Sequence, residues 1–135
     1  YCRQSEQFRW VHTTSLSDLK KKLVKNGLKI GSINSLEPKK KSAVSDRVTE
    51  LIVKHSKGNT YVRTNWLRGI MGSDVIRSTN FTVDVDKEKV TFNGRGWGHG
   101  VGLCQEGAAK MAAQGKSYQE ILEFYYPGTE LKRIE

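Results

Sequence analysis

Between Gly94 and Gly102 a glycine stands at every second position: Gly94-Arg95-Gly96-Trp97-Gly98-His99-Gly100-Val101-Gly102. In an extended chain alternate residues face opposite sides, so one face would be bare backbone and the other would carry Arg95, Trp97, His99 and Val101. Ordering a glycine costs about 0.5–1 kcal/mol more than ordering an alanine. Such a run therefore needs a compensating role. Either the bare backbone lets another chain or a flat ligand come close, or the glycines take positive φ in tight turns. A phosphate loop is excluded. G-x-G-x-x-G fails in every register, and Gly115-Lys116-Ser117 has Lys110 where a P-loop needs its first glycine. The decorated face offers an indole platform, a guanidinium fork and an imidazole, a set that suits a carboxylate-bearing sugar polymer. The same residues also have a purely structural reading: Trp97 in the core, Arg95 on a carbonyl, His99 capping the next helix.

Periodicity places the rest of the chain. Residues 8–14 alternate Phe8, Trp10 and His12 against Arg9 and Val11, a short strand. Ser15 and Asp18 make a capping-box variant, and Leu16, Leu19 and Leu23 follow on one helical face, with Asn26-Gly27 as the stop. Leu28, Ile30 and Ile33 suggest a strand, and Glu37-Pro38-Lys39-Lys40-Lys41-Ser42 an exposed turn. Val48, Leu51 to Val53 and Tyr61-Val62 flank Ser56-Lys57-Gly58-Asn59 as a hairpin. Asn65 is the expected cap of a helix over 66–71 that Gly72 closes. Phe81, Val83 and Val85 alternate with polar residues, and after the turn at 86–89 Val90 and Phe92 begin another strand. Residues 107–114 read as a helix stopped by Gly115. Ser117 and Glu120 cap a second one carrying Tyr118, Ile121, Leu122 and Tyr125, with Pro127-Gly128 as its end. The expected class is α+β: twisted, mostly antiparallel strands in the middle, helices near 16–26 and in the C-terminal third.

Charge is concentrated. Residues 20–63 hold twelve Lys/Arg against Glu37, Asp46 and Glu50, which accounts for the whole net charge of +9. Such a block can attract a polyanion or simply form a solvated face. No zinc-finger spacing or aromatic RNP-type strand accompanies it, so nucleic acid is not the expected partner. No apolar run is long enough for a membrane-spanning helix. Cys2 and Cys104 are too few for a disulfide scaffold. From the residues alone, a disulfide, two thiols or a metal site with His99 all stay open.

The residues from 94 to 129 carry a resemblance. The glycine run, Gln105, Gly107-Ala108, Met111-Ala112, Gly115, Tyr118, Ile121-Leu122 and Tyr125-Tyr126-Pro127-Gly128-Thr129 closely resemble the signature of the SpoIID/LytB family, the stage II sporulation protein D and amidase-enhancer proteins. Upstream, Leu67-Arg68, Ser78-Thr79 and Val90-Phe92 fit the same pattern. The resemblance implies peptidoglycan work outside the cytoplasm, in the cell envelope. It implies glycan-strand recognition and cleavage within a lytic transglycosylase-like domain. The alternative is a non-catalytic wall-binding module that enhances an N-acetylmuramoyl-L-alanine amidase. Arg95, Trp97, His99 and Gln105 become the expected substrate-binding residues. The partners implied are peptidoglycan glycan strands, an amidase, and an anionic wall polymer drawn to residues 20–63. The family's proposed catalytic glutamate lies on a helix that nothing in 1–135 matches. Residues 1–135 therefore read as one SpoIID-like domain portion lacking that upstream segment, with Tyr1 at a fragment or processing boundary. Leu103-Cys104 departs from the commoner Met-Ser or Met-Cys. Similar members use Cys and His for zinc, which implies a structural zinc at Cys2, His99 and Cys104, though the chemistry itself requires no cofactor.

A transglycosylase needs one carboxylic acid to protonate the glycosidic oxygen and then assist attack by the C6 hydroxyl. Glu106 is the only acid within the glycine-rich segment and the start of its helix. A helix N-terminus favours the anion, the opposite of what a general acid needs, so Glu106 is a weak candidate and the catalytic residue stays unassigned.

Overall fold

Leucines at helical spacing, alternating strand residues and three large aromatics account for most of the architecture seen in a computed structural model, which describes residues 8–43, 45–100 and 102–134. The chain divides into two compact units, Arg9–His99 and, among the described residues, Phe8 with Gly100 onward. The class is α+β, as the patterning predicts.

In the larger unit β1 (Arg9–Ser15) leads directly into α1 (Leu16–Lys25). Ser15 is the N-cap, and its hydroxyl accepts from the Asp18 amide at 3.0 Å. Such a cap stabilises a helix by about 1 kcal/mol. Leu19 and Leu23 are fully buried, each burial stabilising the fold by about 1.5–3 kcal/mol. The lysines take the outer faces. Two three-stranded antiparallel sheets follow. The first has the order β1-β6-β5, with β5 (Phe81–Asp86) and β6 (Lys89–Arg95). The second has the order β2-β3-β4, with β2 (Ile33–Lys41), β3 (Val48–His55) and β4 (Gly58–Arg63). Helix α2 (Thr64–Met71) follows β4. One core joins both sheets and both helices through Trp10, Phe92, Leu36, Leu51, Leu23 and Leu67.

Two local expectations are corrected. Residues 37–41, read as a turn, belong to β2. As an edge strand, β2 can hold Pro38, which has no N–H to donate inward. The register shifts around Lys40 are irregularities typical of an edge. Its acidic neighbours pair with lysines, Glu37 to Lys54 at 2.8 Å and Lys40 to Glu50 at 3.8 Å. Asn65 is not a cap. Helix α2 starts two residues earlier than expected, at Thr64 after Arg63, with no side-chain cap. Thr64 is buried there and donates to the carbonyl of Val48, so contact with β3 fixes the helix start.

His55 shows how the hairpin is locked. It is 7% exposed, and its Nδ1 accepts from the amides of Gly31 at 3.1 Å and Lys57 at 3.2 Å. Two donors on Nδ1 assign the ring proton to Nε2, which donates to the Thr60 hydroxyl at 2.9 Å. His55→Leu removes the acceptor and leaves these amides unsatisfied, an expected loss of about 2 kcal/mol in urea unfolding. A variant as stable as the parent would contradict this.

The smaller unit carries α3 (Gln105–Ala113) and α4 (Tyr118–Tyr125). Helix α3 begins two residues before the expected start. Helix α4 has the full capping box between Ser117 and Glu120.

Candidate functional site

The glycine run divides at Arg95. Gly94 lies within β6 opposite Trp10, and a Cβ there would stand 2.0 Å from the indole, so bare backbone serves close approach at this position. Beyond Arg95 the strand ends, because Gly96 and Gly98 have φ of +74° and +97°. L side chains rarely adopt such angles, so the alternation encodes turns here and not a single decorated strand.

Hydrogen bonds fix this loop against residues 77–80. The Arg95 amide donates to Asn80 O at 2.9 Å and the Gly98 amide to Arg77 O at 2.8 Å. Arg47 reaches in from the start of the second sheet. Its Nη1 donates to Gly98 O at 3.2 Å and to the Thr79 hydroxyl at 3.4 Å. Ser78, fully buried, joins the parts. It accepts from Trp10 Nε1 at 3.4 Å and the Asn80 amide at 3.3 Å, and donates to Arg95 O at 2.5 Å. Ser78→Ala would strand those three groups, with an expected cost of about 2 kcal/mol and a more mobile Trp97 loop. A melting curve and acrylamide quenching of tryptophan emission read both effects; an unchanged melt and quenching would contradict the role given to Ser78.

On this base Trp97 points outward. It is 49% exposed, which excludes the core reading, and the Arg77 guanidinium carbon lies 5.2 Å from its ring centre. Arg77 is itself held: its carbonyl accepts from Arg68 Nε at 3.3 Å, and its Nε donates to Asp74 O at 3.3 Å. Arg95 and His99 are exposed on the same segment. The result is a half-exposed indole with the Arg77 guanidinium beside it, on a loop that Arg47 ties down through Gly98 O. A flat apolar ring stacks on a sugar face, and guanidinium forks pair with carboxylates. Arg77 and Arg47 had no sequence signal as site residues, since Arg47 lies 51 residues before Gly98. The flanking Arg68 and Ser78-Thr79 were visible in the family pattern.

Cys104, Gln105 and Glu106 belong to the smaller unit. Cys104 is the N-cap of α3 with no side-chain cap bond, and Gln105 and Glu106 are exposed at the helix start. The loop before α3 is anchored by Tyr126, whose hydroxyl accepts from the Leu103 amide at 3.1 Å and would lie 2.8 Å from a Cβ on Gly102. Tyr126 of the Tyr-Tyr-Pro-Gly segment thus has a structural task. Glu120 is held down to about 2 by its Lys116 partner and by hydrogen bonds from Ser117, as fits a permanent cap and not a proton donor. Of the zinc set, Cys2 lies outside the described residues, and His99 and Cys104 belong to different units. Among the described residues no three His, Cys, Asp or Glu side chains gather where an ion could sit.

A family model described as "Domain of unknown function (DUF8618)" matches residues 2–102. The amidase enhancer of Bacillus subtilis (strain 168) is 50% identical over 70 residues, 52% of this chain and 10% of that protein. An uncharacterized protein of Brachyspira hyodysenteriae (strain ATCC 49526 / WA1) is 38% identical over 73 residues, 54% of this chain and 20% of its own length. The stage II sporulation protein D of Bacillus subtilis (strain 168) is 37% identical over 60 residues, 44% of this chain and 18% of that protein. The matched stretch is therefore a tenth to a fifth of these relatives.

Proposed function

Because this chain belongs to the family described as Domain of unknown function (DUF8618), and relatives named for both branches of the SpoIID/LytB family share about half of it, we propose that it works on the cell wall as a glycan-strand recognition surface. The observation that carries this reading is the half-exposed Trp97 braced by Arg77 on a loop fixed through Ser78. The indole stacks on a sugar ring. Arg77 and Arg95 pair with carboxylates along the strand, and His99 supplies a further polar contact.

In the enzymatic form of this proposal, the surface belongs to a lytic transglycosylase-like domain. A carboxylic acid gives its proton to the glycosidic oxygen as the C1–O bond breaks. The C6 hydroxyl then attacks C1, and its proton returns to the carboxylate, leaving a 1,6-anhydro end. Glu106, exposed in the first turn of α3, is the weakest part of that scheme. The second reading, a wall-binding module that stimulates an amidase, is favoured by the name of the 50%-identical relative. An extracytoplasmic place in the cell envelope belongs to both readings; no helix among the described residues is long and apolar enough to cross a membrane.

One digest separates the two. Peptide-stripped glycan strands are incubated with the chain, and the products are read by mass spectrometry. Retention of the chain on the strands with no 1,6-anhydro ends is the expected result, and it identifies a recognition module. Anhydro ends would place the acid within these 135 residues, and Glu106→Gln would then be the first variant to assay.

A further inference from the structure

At the other end of the first sheet, a cleft of about 400 Å³ opens between β1 and α1. Thr14 pairs with Val90 in the same ladder in which Arg9 pairs with Arg95. Five residues of strand, about 17 Å, therefore separate this cleft from the start of the Trp97 loop. His12 and Thr14 enter it from β1, and Asp18, Lys21 and Lys22 from α1. Leu19 and Met71, both buried, form its floor with the half-buried Val75. Among the described residues no hydrogen bond or ion pair occupies the His12 ring nitrogens, the Asp18 carboxylate or the two ammonium groups. Burial, and then the charge of Lys22, hold His12 below its usual range, so at neutral pH the ring is uncharged and offers one donor and one acceptor.

A concave site of this size, with an apolar floor and a few converging polar groups, is the form that small-ligand sites take. The lining carries both signs in a fixed order. Asp18 and Lys22 are four residues apart on α1, which places their Cβ atoms about 5–6 Å apart on one face. A dipeptide spans at most about 7 Å from amine to carboxylate. We propose that this cleft binds a dipeptide with free termini and short aliphatic side chains. The ammonium sits on Asp18, the carboxylate is held by Lys22 and Lys21 with the His12 ring N–H donating, and the methyl groups lie on Leu19, Met71 and Val75. This does not depend on the glycan reading, since it uses other residues at the far end of the sheet.

The competing account is an exposed Asp18–Lys22 pair that closes on itself in solution, worth at most about 1 kcal/mol. An NMR titration of the full chain with alanyl-alanine decides between them. The expected result is saturable shifts at residues 12–22 and 71–75, with a dissociation constant of ~1 mM. N-acetyl-alanyl-alanine and alanyl-alanine amide, each lacking one charge, should bind about tenfold more weakly. Asp18→Asn and Lys22→Met should do the same while melting within a few degrees of the parent, since Asp18→Asn loses only a first-turn charge of α1 and neither removes a core contact. Absence of saturable shifts, or equal shifts from both blocked peptides or from acetate, would overturn the proposal.

Discussion

Gly94→Ala should lower the melting temperature steeply. The added carbon would meet Trp10 Cε2 and Cζ2 at 2.0 Å and Nε1 at 2.6 Å. The indole has no room to withdraw. It is 5% exposed, its Nε1 is held by Ser78, and it stands edge-on to Phe81, which is itself edge-on to Phe92. Overpacking a tight core typically costs 1–3 kcal/mol, and a clash with a trapped ring lies at the top of that range, about 3 kcal/mol. For a unit of the size of Arg9–His99 that is a drop of roughly 12–24 °C. Differential scanning calorimetry reads it directly. A variant melting within a few degrees of the parent would mean that Trp10 is not seated on Gly94, and the stated basis of the Trp97 loop would fail with it.

Trp97→Ala should have the opposite profile. The side chain is half exposed and its ring partner is the half-buried Arg77. An exposed cation–π contact contributes only about 0.5–1 kcal/mol, so the melt should shift by a few degrees. Glycan binding should fall far more. Tryptophan anchors at binding centres commonly contribute about 2 kcal/mol or more, which is roughly a 30-fold loss of affinity. Trp97→Phe should recover part of it, because a smaller ring still stacks. Calorimetry against peptide-stripped strands measures both variants. Equal affinity for parent and Trp97→Ala would remove the indole from the binding surface.

The two variants mark where sequence reasoning was sufficient and where it was not. Short-range signals were legible. Ser15 caps α1 through the Asp18 backbone amide, without the reciprocal side-chain bond of a full box, Ser117 and Glu120 box α4, and the alternation at Phe81 to Val85 makes a strand, because each depends on residues within a few positions of one another. The glycine run was legible as a special backbone, but not as which kind. Close approach holds at Gly94 and positive φ at Gly96 and Gly98, and the choice rests on Trp10, far away in the chain. The lysine-rich stretch at 37–41 misled because local composition resembles a turn, while pairing with β3 makes it an edge strand. Arg95, Trp97 and His99 are candidates that spacing and resemblance single out. Arg77 and Arg47 are not, because they join the loop through contacts that only the folded chain creates. No local pattern could mark Ser78 as the residue that holds Trp10, Asn80 and Arg95 together.

Recognition of glycan strands by the Trp97 loop is the central proposal. The most direct test is a titration of the full chain with purified, peptide-stripped strands, followed by isothermal calorimetry and by tryptophan emission. Saturable binding that shifts the emission of the exposed indole, and that weakens when the strand carboxylates are amidated, is the predicted result. Binding with no change in tryptophan emission, or no binding to stripped strands at all, would contradict it.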